Sequence, residues 1–259
     1  MKYVEYDGKR YTVREGRLDL SNLGIQKITD IRGLKNLKNL KELDLSNNEI
    51  NEIDGLEDLT KLEILNLRLN EIKEIKGLYS LTNLKYLFLY NNKITEIKGI
   101  ENLINLVELN IFDNQIQKIA GLKNLTKLKW LYLGSNRIKY IEGLQNLRNL
   151  EFLNIEKNFI TDLQGLETLN NLKLLAIKRN SIREIKNIGT LTKLMRLELA
   201  FNEITEIRGL ANLENLEMID LRGNLVYEKQ IELNGNKKKV KFLDAKDLVF
   251  YCQTLNDSQ

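Results

Sequence analysis

The sequence predicts an α/β repeat protein, a solenoid of short parallel strands laid side by side. Three observations predict it. Residues 103–124 read L-x-x-L-x-x-L-x-I-x-x-N-x-I-x-x-I-x-G-L, and a shift of 22 in either direction overlays the pattern on itself. A marker asparagine recurs at that interval without insertion, at Asn48, Asn70, Asn92, Asn114, Asn136, Asn158, Asn180, Asn202 and Asn224. Each copy also carries a central L-x-L or L-x-I, which puts two aliphatics on one side of a short strand. A strict period of this length is the signature of a stacked-repeat architecture. Such a stack grows by addition, so a single continuous core is expected along the 259 residues.

Residues 1–14 stand outside the repeat. Tyr3-Val-Glu-Tyr6 and Arg10-Tyr-Thr-Val13 flank Asp7-Gly8, a two-residue hairpin signal. A hairpin here would cover the first edge of the stack, which an open sheet otherwise leaves unpaired. Residues 15–226 hold the repeats: one divergent, eight full and one partial. In the divergent copy LDLSNLGIQKI echoes LDLSNNEINEI, with Leu23 in the marker position and three extra residues before Gly33. Eight complete copies occupy 37–212. The partial copy keeps Leu216, Ile219, Leu221, Asn224 and Val226. Residues 227–259 read as a C-terminal cap: a polar loop at Asn234-Gly-Asn-Lys-Lys-Lys, a last short strand at 240–243 and a helical turn at 245–252.

Within each copy the aliphatic columns before and after the strand turn the chain back over the inward side of the sheet. The marker Asn is the one polar position in that frame. Its amide both donates and accepts, so it suits backbone groups left open where the chain leaves the strand. A glycine column runs Gly33, Gly55, Gly77, Gly99, Gly121, Gly143, Gly165, then Asn187, then Gly209. Asn is the non-glycine residue that best tolerates positive φ, so this position is expected to be left-handed in every turn. These glycines do not form a phosphate loop, because no G-x-G-x-x-G or P-loop spacing occurs.

Composition excludes several classes of function. The chain has no histidine, which removes most triad, general-base and zinc chemistry. Its one cysteine, Cys252, has no base to activate it and reads as a small buried hydrophobe or a plain surface thiol. With one cysteine there is no intrachain disulfide, and a reducing, cytoplasmic setting is expected. No apolar run opens the chain, and none is long enough to span a membrane. The net charge of +4 is too small to name a polyanionic partner. No catalytic residue, metal or cofactor is expected.

The pattern LxxLxLxxNxIxxIxGLxxLxx resembles the 22-residue leucine-rich repeat, in the subfamily seen in the regulatory subunit of type-1 protein phosphatase and in bacterial internalins. The match covers about residues 17–226. The tail FLDAKDL (242–248) is similar to the cap that closes phosphatase-regulator and ribonucleoprotein members. Internalins usually carry proline in their convex segments and a secretion signal, and this sequence shows neither. The resemblance implies a curved, right-handed solenoid with a concave parallel sheet and short 3-10 or irregular convex segments. It also implies protein binding on the concave face, without naming the partner.

The open face of the sheet is read as four residues per copy, flanking the two strand aliphatics and running up to the marker Asn. Seven aromatics crowd its middle: Tyr86, Phe88, Tyr90, Phe112, Trp130, Tyr132 and Phe152, with the only tryptophan among them. Exposed Trp and Tyr on a rigid sheet are what interface hot spots are made of. The alternative is that the rings stack on one another across strands and only stabilise the sheet. Beside them lies a basic set including Lys178, Arg179 and Arg196, interrupted by Glu156, Glu198 and Asp220. The expected function is a non-enzymatic scaffold that binds a partner protein on this face. The aromatic anchors carry the contact and the basic strip sets orientation toward an acidic segment. A phosphatase-regulator-like adaptor is one version. The alternative is a nucleic-acid or ribonucleoprotein subunit using the aromatic and basic residues together.

Overall fold

The computed structural model describes residues 2–256, and the outermost residues of both expected caps, 1 and 257–259, lie outside the described part. The chain groups into two compact units, Met1–Tyr132 and Leu133–Gln259, described in turn.

The first unit opens with an antiparallel hairpin, β1 (Tyr3–Tyr6) and β2 (Lys9–Thr12). Asp7 and Gly8 both have positive φ, as a type I′ turn requires. Val4 is fully buried, and Glu5 exchanges two backbone hydrogen bonds with Arg32 (3.0 and 2.9 Å), so the hairpin packs on the return segment of the first copy. A second tight turn at Glu15-Gly16 then leads into the sheet. Six parallel strands follow in chain order: β3 (Arg17–Asp19), β4 (Glu42–Asp44), β5 (Ile64–Asn66), β6 (Tyr86–Phe88), β7 (Glu108–Asn110) and β8 (Trp130–Tyr132). Their register is constant: Tyr86 faces Glu108, which faces Trp130, and Phe88 faces Asn110, which faces Tyr132.

The period-2 rule accounts for which side each residue takes. Leu87, Leu109 and Leu131 point inward and are fully buried. Their neighbours on either side are half-buried on the open face. Ile116, Ile119 and Leu122 close the far side of the central copy. In that return segment the backbone makes i-to-i+3 bonds, such as Leu103 N–H to the Ile100 carbonyl and Leu106 N–H to the Leu103 carbonyl. These are single tight turns, and the regular copies contain no helix.

The marker asparagines join one copy to the next. The Asn114 amide donates to the carbonyls of Leu89 (3.0 Å), Ile111 (3.2 Å) and Phe112 (3.2 Å) and accepts from the Ile94 N–H (2.9 Å). Asn70, Asn158 and Asn180 repeat that pattern in their own copies. A second asparagine column, on the exposed side, ties the turns together: Asn83 donates to Thr60, Asn105 to Thr82, Asn171 to Arg148 and Asn215 to Thr192.

The glycine column is left-handed throughout, Asn187 (φ 61°) included. At Gly99 (φ 81°) an added Cβ would also collide with the Ile75 carbonyl oxygen. Gly99→Ala is therefore expected to cost more than the roughly 1–2 kcal/mol of a left-handed L-residue. Asn187→Gly should stabilise, by roughly 0.5–1 kcal/mol. Denaturant titration of both variants checks the pair.

The second unit carries β9 (Phe152–Asn154), β10 (Leu174–Ala176), β11 (Arg196–Glu198) and β12 (Met218–Asp220), again parallel and in order. Its cap differs from the sequence expectation. Asn234 does not open a plain polar loop. Asn234-Gly235 is a left-handed turn joining an antiparallel hairpin, β13 (Gln230–Leu233) and β14 (Asn236–Lys239). The strand expected at 240–243 is instead a 3-10 turn, Val240–Phe242, because β13 already pairs with β14. The closing helix α1 (Ala245–Asn256) begins at Asp244, whose side chain accepts from the Asp247 N–H at 2.8 Å and caps it. Ala245, Leu248, Val249 and Cys252 form its buried stripe. Gln253 donates to the Ala211 carbonyl, which fixes the helix over the end of the last copies. Cys252 is the buried hydrophobe of the two readings, and burial pushes its thiol pKa up, which disfavours the thiolate. No helix among the described residues is long and apolar enough to cross a membrane.

Candidate binding face

The open face of the first unit is defined by strand register. Row by row it holds Glu42, Ile64, Tyr86, Glu108, Trp130 and then Asp44, Asn66, Phe88, Asn110, Tyr132. The aromatics Tyr86, Phe88, Tyr90, Phe112, Trp130 and Tyr132 are all half-buried. Strands about 4.8 Å apart bring each ring's flank against its neighbours and leave its outer edge in water. Tyr90 is further engaged: Arg68 donates to its hydroxyl at 2.7 Å, with the guanidinium 5.7 Å from the ring centre.

The order of residues across the strands separates the two readings of the rings. A stacking ladder needs rings on adjacent strands. Here β7 lies between the aromatic strands β6 and β8 and carries Glu108 and Asn110. The two main rows therefore run ring, polar group, ring. Tyr90 and Phe112, beyond the strand ends, stand at equivalent positions of adjacent copies, as do Trp130 and Phe152.

Register thus sets Tyr86 and Phe88 on one side of the polar Glu108 and Asn110 and Trp130 and Tyr132 on the other, an arrangement termed the bay, with the rings as its walls. The walls are two strand spacings apart, about 9.6 Å. Burial lifts the Glu108 carboxyl above the ordinary carboxylate range. Burial, and then the Glu108 charge, raise the Tyr132 phenol.

The second unit presents Phe152, half-buried, and the basic set. The basic residues do not form a free strip. Lys178 Nζ lies 2.7 Å from Glu198 Oε2, and Arg196 pairs with the same carboxylate, which is 6% exposed. Arg222 makes two parallel bonds to Asp220 (2.9 and 2.8 Å), which hold that carboxyl below its usual range. The Arg179 guanidinium carbon sits 5.2 Å from the Phe201 ring centre. Glu198 and Asp220, read from sequence as interruptions, engage Lys178, Arg196 and Arg222. Arg196 and Glu198 are two apart and so share a face, and Lys178 reaches in from the adjacent copy.

Two features of this face escaped the sequence reading. Not all of its four positions per copy are exposed: Ser46, Ala176 and Ala200 are buried, because short side chains do not rise above neighbours one strand spacing away. The residue before each marker Asn is left-handed in all nine turns, with φ between 51° and 58° at the eight non-glycine positions and 73° at Gly223. Asn47, Asn91, Asp113 and Gly223 at this position were the available signal, since these residues tolerate positive φ. Leu69 and Phe201 do not, and the sheet ladder holds them there through bonds from their N–H groups to Tyr90 (3.0 Å) and Arg222 (2.7 Å).

Parallel strands, one per copy, joined by tight turns at a fixed interval of 22 residues define a stacked-repeat protein. The chain belongs to the leucine-rich repeat family: the description "Leucine Rich repeats (2 copies)" matches residues 17–58, 38–80, 82–124 and 126–168. Its fold is that family's solenoid. Among solved structures it is similar to internalin C2 of Listeria monocytogenes, with 30% identity and a TM-score of 0.58 over 80% of each chain. It is also similar to the internalin InlF of the same organism, with 26% identity and a TM-score of 0.61 over 81% of this chain and 74% of that one. A third is the leucine-rich-repeat ectodomain of the Arabidopsis thaliana membrane receptor kinase GASSHO1/SCHENGEN3, solved in complex with CASPARIAN STRIP INTEGRITY FACTOR 2. It shares 26% identity at a TM-score of 0.66, over 81% of this chain and 27% of that one. No curated protein matches the chain.

Proposed function

We propose that this chain is a non-enzymatic scaffold that binds a partner protein on the open aromatic face of its first unit. The observation that carries the reading is the alternation of ring, polar group and ring across β6, β7 and β8. Tyr86 and Phe88 are separated from Trp130 by this polar strand, so they are not stacked on it and offer their edges to a partner. Each could bury roughly 150–250 Å² there. The receptor-kinase ectodomain, solved with a bound factor, is a precedent for the same fold holding a partner. A phosphatase-regulator-like adaptor is one version of this reading, suggested by the repeat pattern. A reducing compartment, inferred from the single cysteine, belongs to the same proposal.

Nucleic acid is the weaker reading, because Lys178, Arg196 and Arg222 are engaged by Glu198 and Asp220. Salt dependence separates the two, since phosphate contacts make affinity fall steeply with salt. The direct test is Trp130→Ala/Phe88→Ala. The double variant is expected to lose partner binding while its thermal midpoint stays nearly unchanged. A collapse of stability with binding intact would favour a purely structural role for the rings.

A further inference from the structure

The other carboxylates on the strands of the parallel sheet have partners. Glu42 pairs with Arg17 at 3.0 Å, Glu198 with both Lys178 and Arg196, and Asp220 with Arg222, while Asp44 accepts from the Asn66 amide and Asp19 from the Ser21 N–H, each at 2.9 Å. Among the described residues no basic group pairs with Glu108. It is half-buried on β7, directly between Tyr86 on β6 and Trp130 on β8. A carboxylate partly withdrawn from water and left unpaired is unfavourable, and an incoming cation relieves it. The aromatic walls add to that preference. A cation seated over Glu108 lies one strand spacing, about 4.8 Å, from the strands bearing Tyr86 and Trp130. Rings on both flanking strands are therefore placed to attract it. The chain makes such contacts itself: Arg10 lies 4.5 Å from the Tyr3 ring centre and Arg68 5.7 Å from that of Tyr90.

We propose that the bay takes a basic side chain of the partner protein, an arginine or lysine whose charged head pairs with Glu108 between Tyr86 and Trp130. The inference rests on the binding-face reading and names the chemistry of its ligand. It differs from the acidic partner expected from sequence, three of whose basic contacts, Lys178, Arg196 and Arg222, are engaged by Glu198 and Asp220 within the second unit. Arginine fits best, since its planar guanidinium stacks on rings while bonding a carboxylate.

Trp130 is the only tryptophan, so its emission reports on the bay directly. The full chain is titrated at constant ionic strength with N-acetyl-arginine amide, N-acetyl-lysine amide and the neutral N-acetyl-citrulline amide. The expected result is a saturable change with the two cations, none with citrulline, and binding about tenfold weaker in Glu108→Gln. No saturable change, an equal response to citrulline, or undiminished binding in Glu108→Gln would overturn the proposal. The variant's fold is checked by its thermal midpoint. A raised carboxyl pKa means that the charged form is disfavoured in the folded state. Glu108→Gln should therefore raise the midpoint at neutral pH, and the gain should vanish below the ordinary carboxylate range, where Glu108 is protonated folded or unfolded. A lowered midpoint at neutral pH would mean the carboxylate makes a stabilising contact of its own, against the proposal. The two readings fail separately. If Trp130→Ala/Phe88→Ala loses the partner and the cation titration is blank, the basic-ligand inference falls and the binding face stands. If the double variant keeps the partner, both fall.

Discussion

Asn114→Ala is expected to lower the unfolding free energy by about 3–5 kcal/mol, more than a typical single substitution, by stranding several buried backbone groups at roughly 1–3 kcal/mol each. The Asn114 amide serves three carbonyls, Leu89, Ile111 and Phe112, and accepts from Ile94. Alanine cannot replace any of these bonds, and the site lies inside an aliphatic frame that excludes water. Asp is the informative companion: its carboxylate keeps the acceptor for Ile94 and loses the donors, so Asn114→Asp should also destabilise strongly. Urea unfolding of the three proteins checks the claim. A loss below about 1 kcal/mol would mean that the column is not a structural seam.

Leu109→Ala is the second large effect, about 2–5 kcal/mol through lost burial and the cavity left behind. Leu109 is fully buried on β7, between the equally buried Leu87 and Leu131 of the adjacent strands. Close packing along the column leaves little room for collapse, which favours the upper part of that range. Leu109→Met, which nearly conserves volume, should cost less than about 1.5 kcal/mol. The contrast also protects the functional argument, because Glu108 and Asn110, on either side, point the opposite way. Changes at those two positions should alter binding without a penalty of this size.

Much of the fold was legible because one period governs it. The marker Asn, the strand aliphatics and the glycine column each repeat a single physical requirement, and Asn187 identified the left-handed position by replacing Gly with its best substitute. Asp7-Gly8 fixed the first hairpin in the same way. What was not legible is set by tertiary contacts. Asn234-Gly235 carried the same turn signal, but the strand after it is Asn236-Lys-Lys-Lys239, with no alternation to mark it as a strand. The left-handed Leu69 and Phe201 follow from ladder bonds that no local preference announces. The candidate site was half visible: its aromatics stood out by composition, while the place of Glu108 among them needed the register. The pairing of Lys178 and Arg196 with Glu198 needed the side-chain geometry.

The central claim is that the aromatic face binds. Its most direct test is capture from native cell extract with the wild-type chain and with Trp130→Ala/Phe88→Ala, their thermal midpoints measured alongside. The account predicts a partner held by the wild type and lost by the variant, at nearly equal midpoints. Identical captures from the two proteins would contradict it and move the search to the charged outer face and the C-terminal cap.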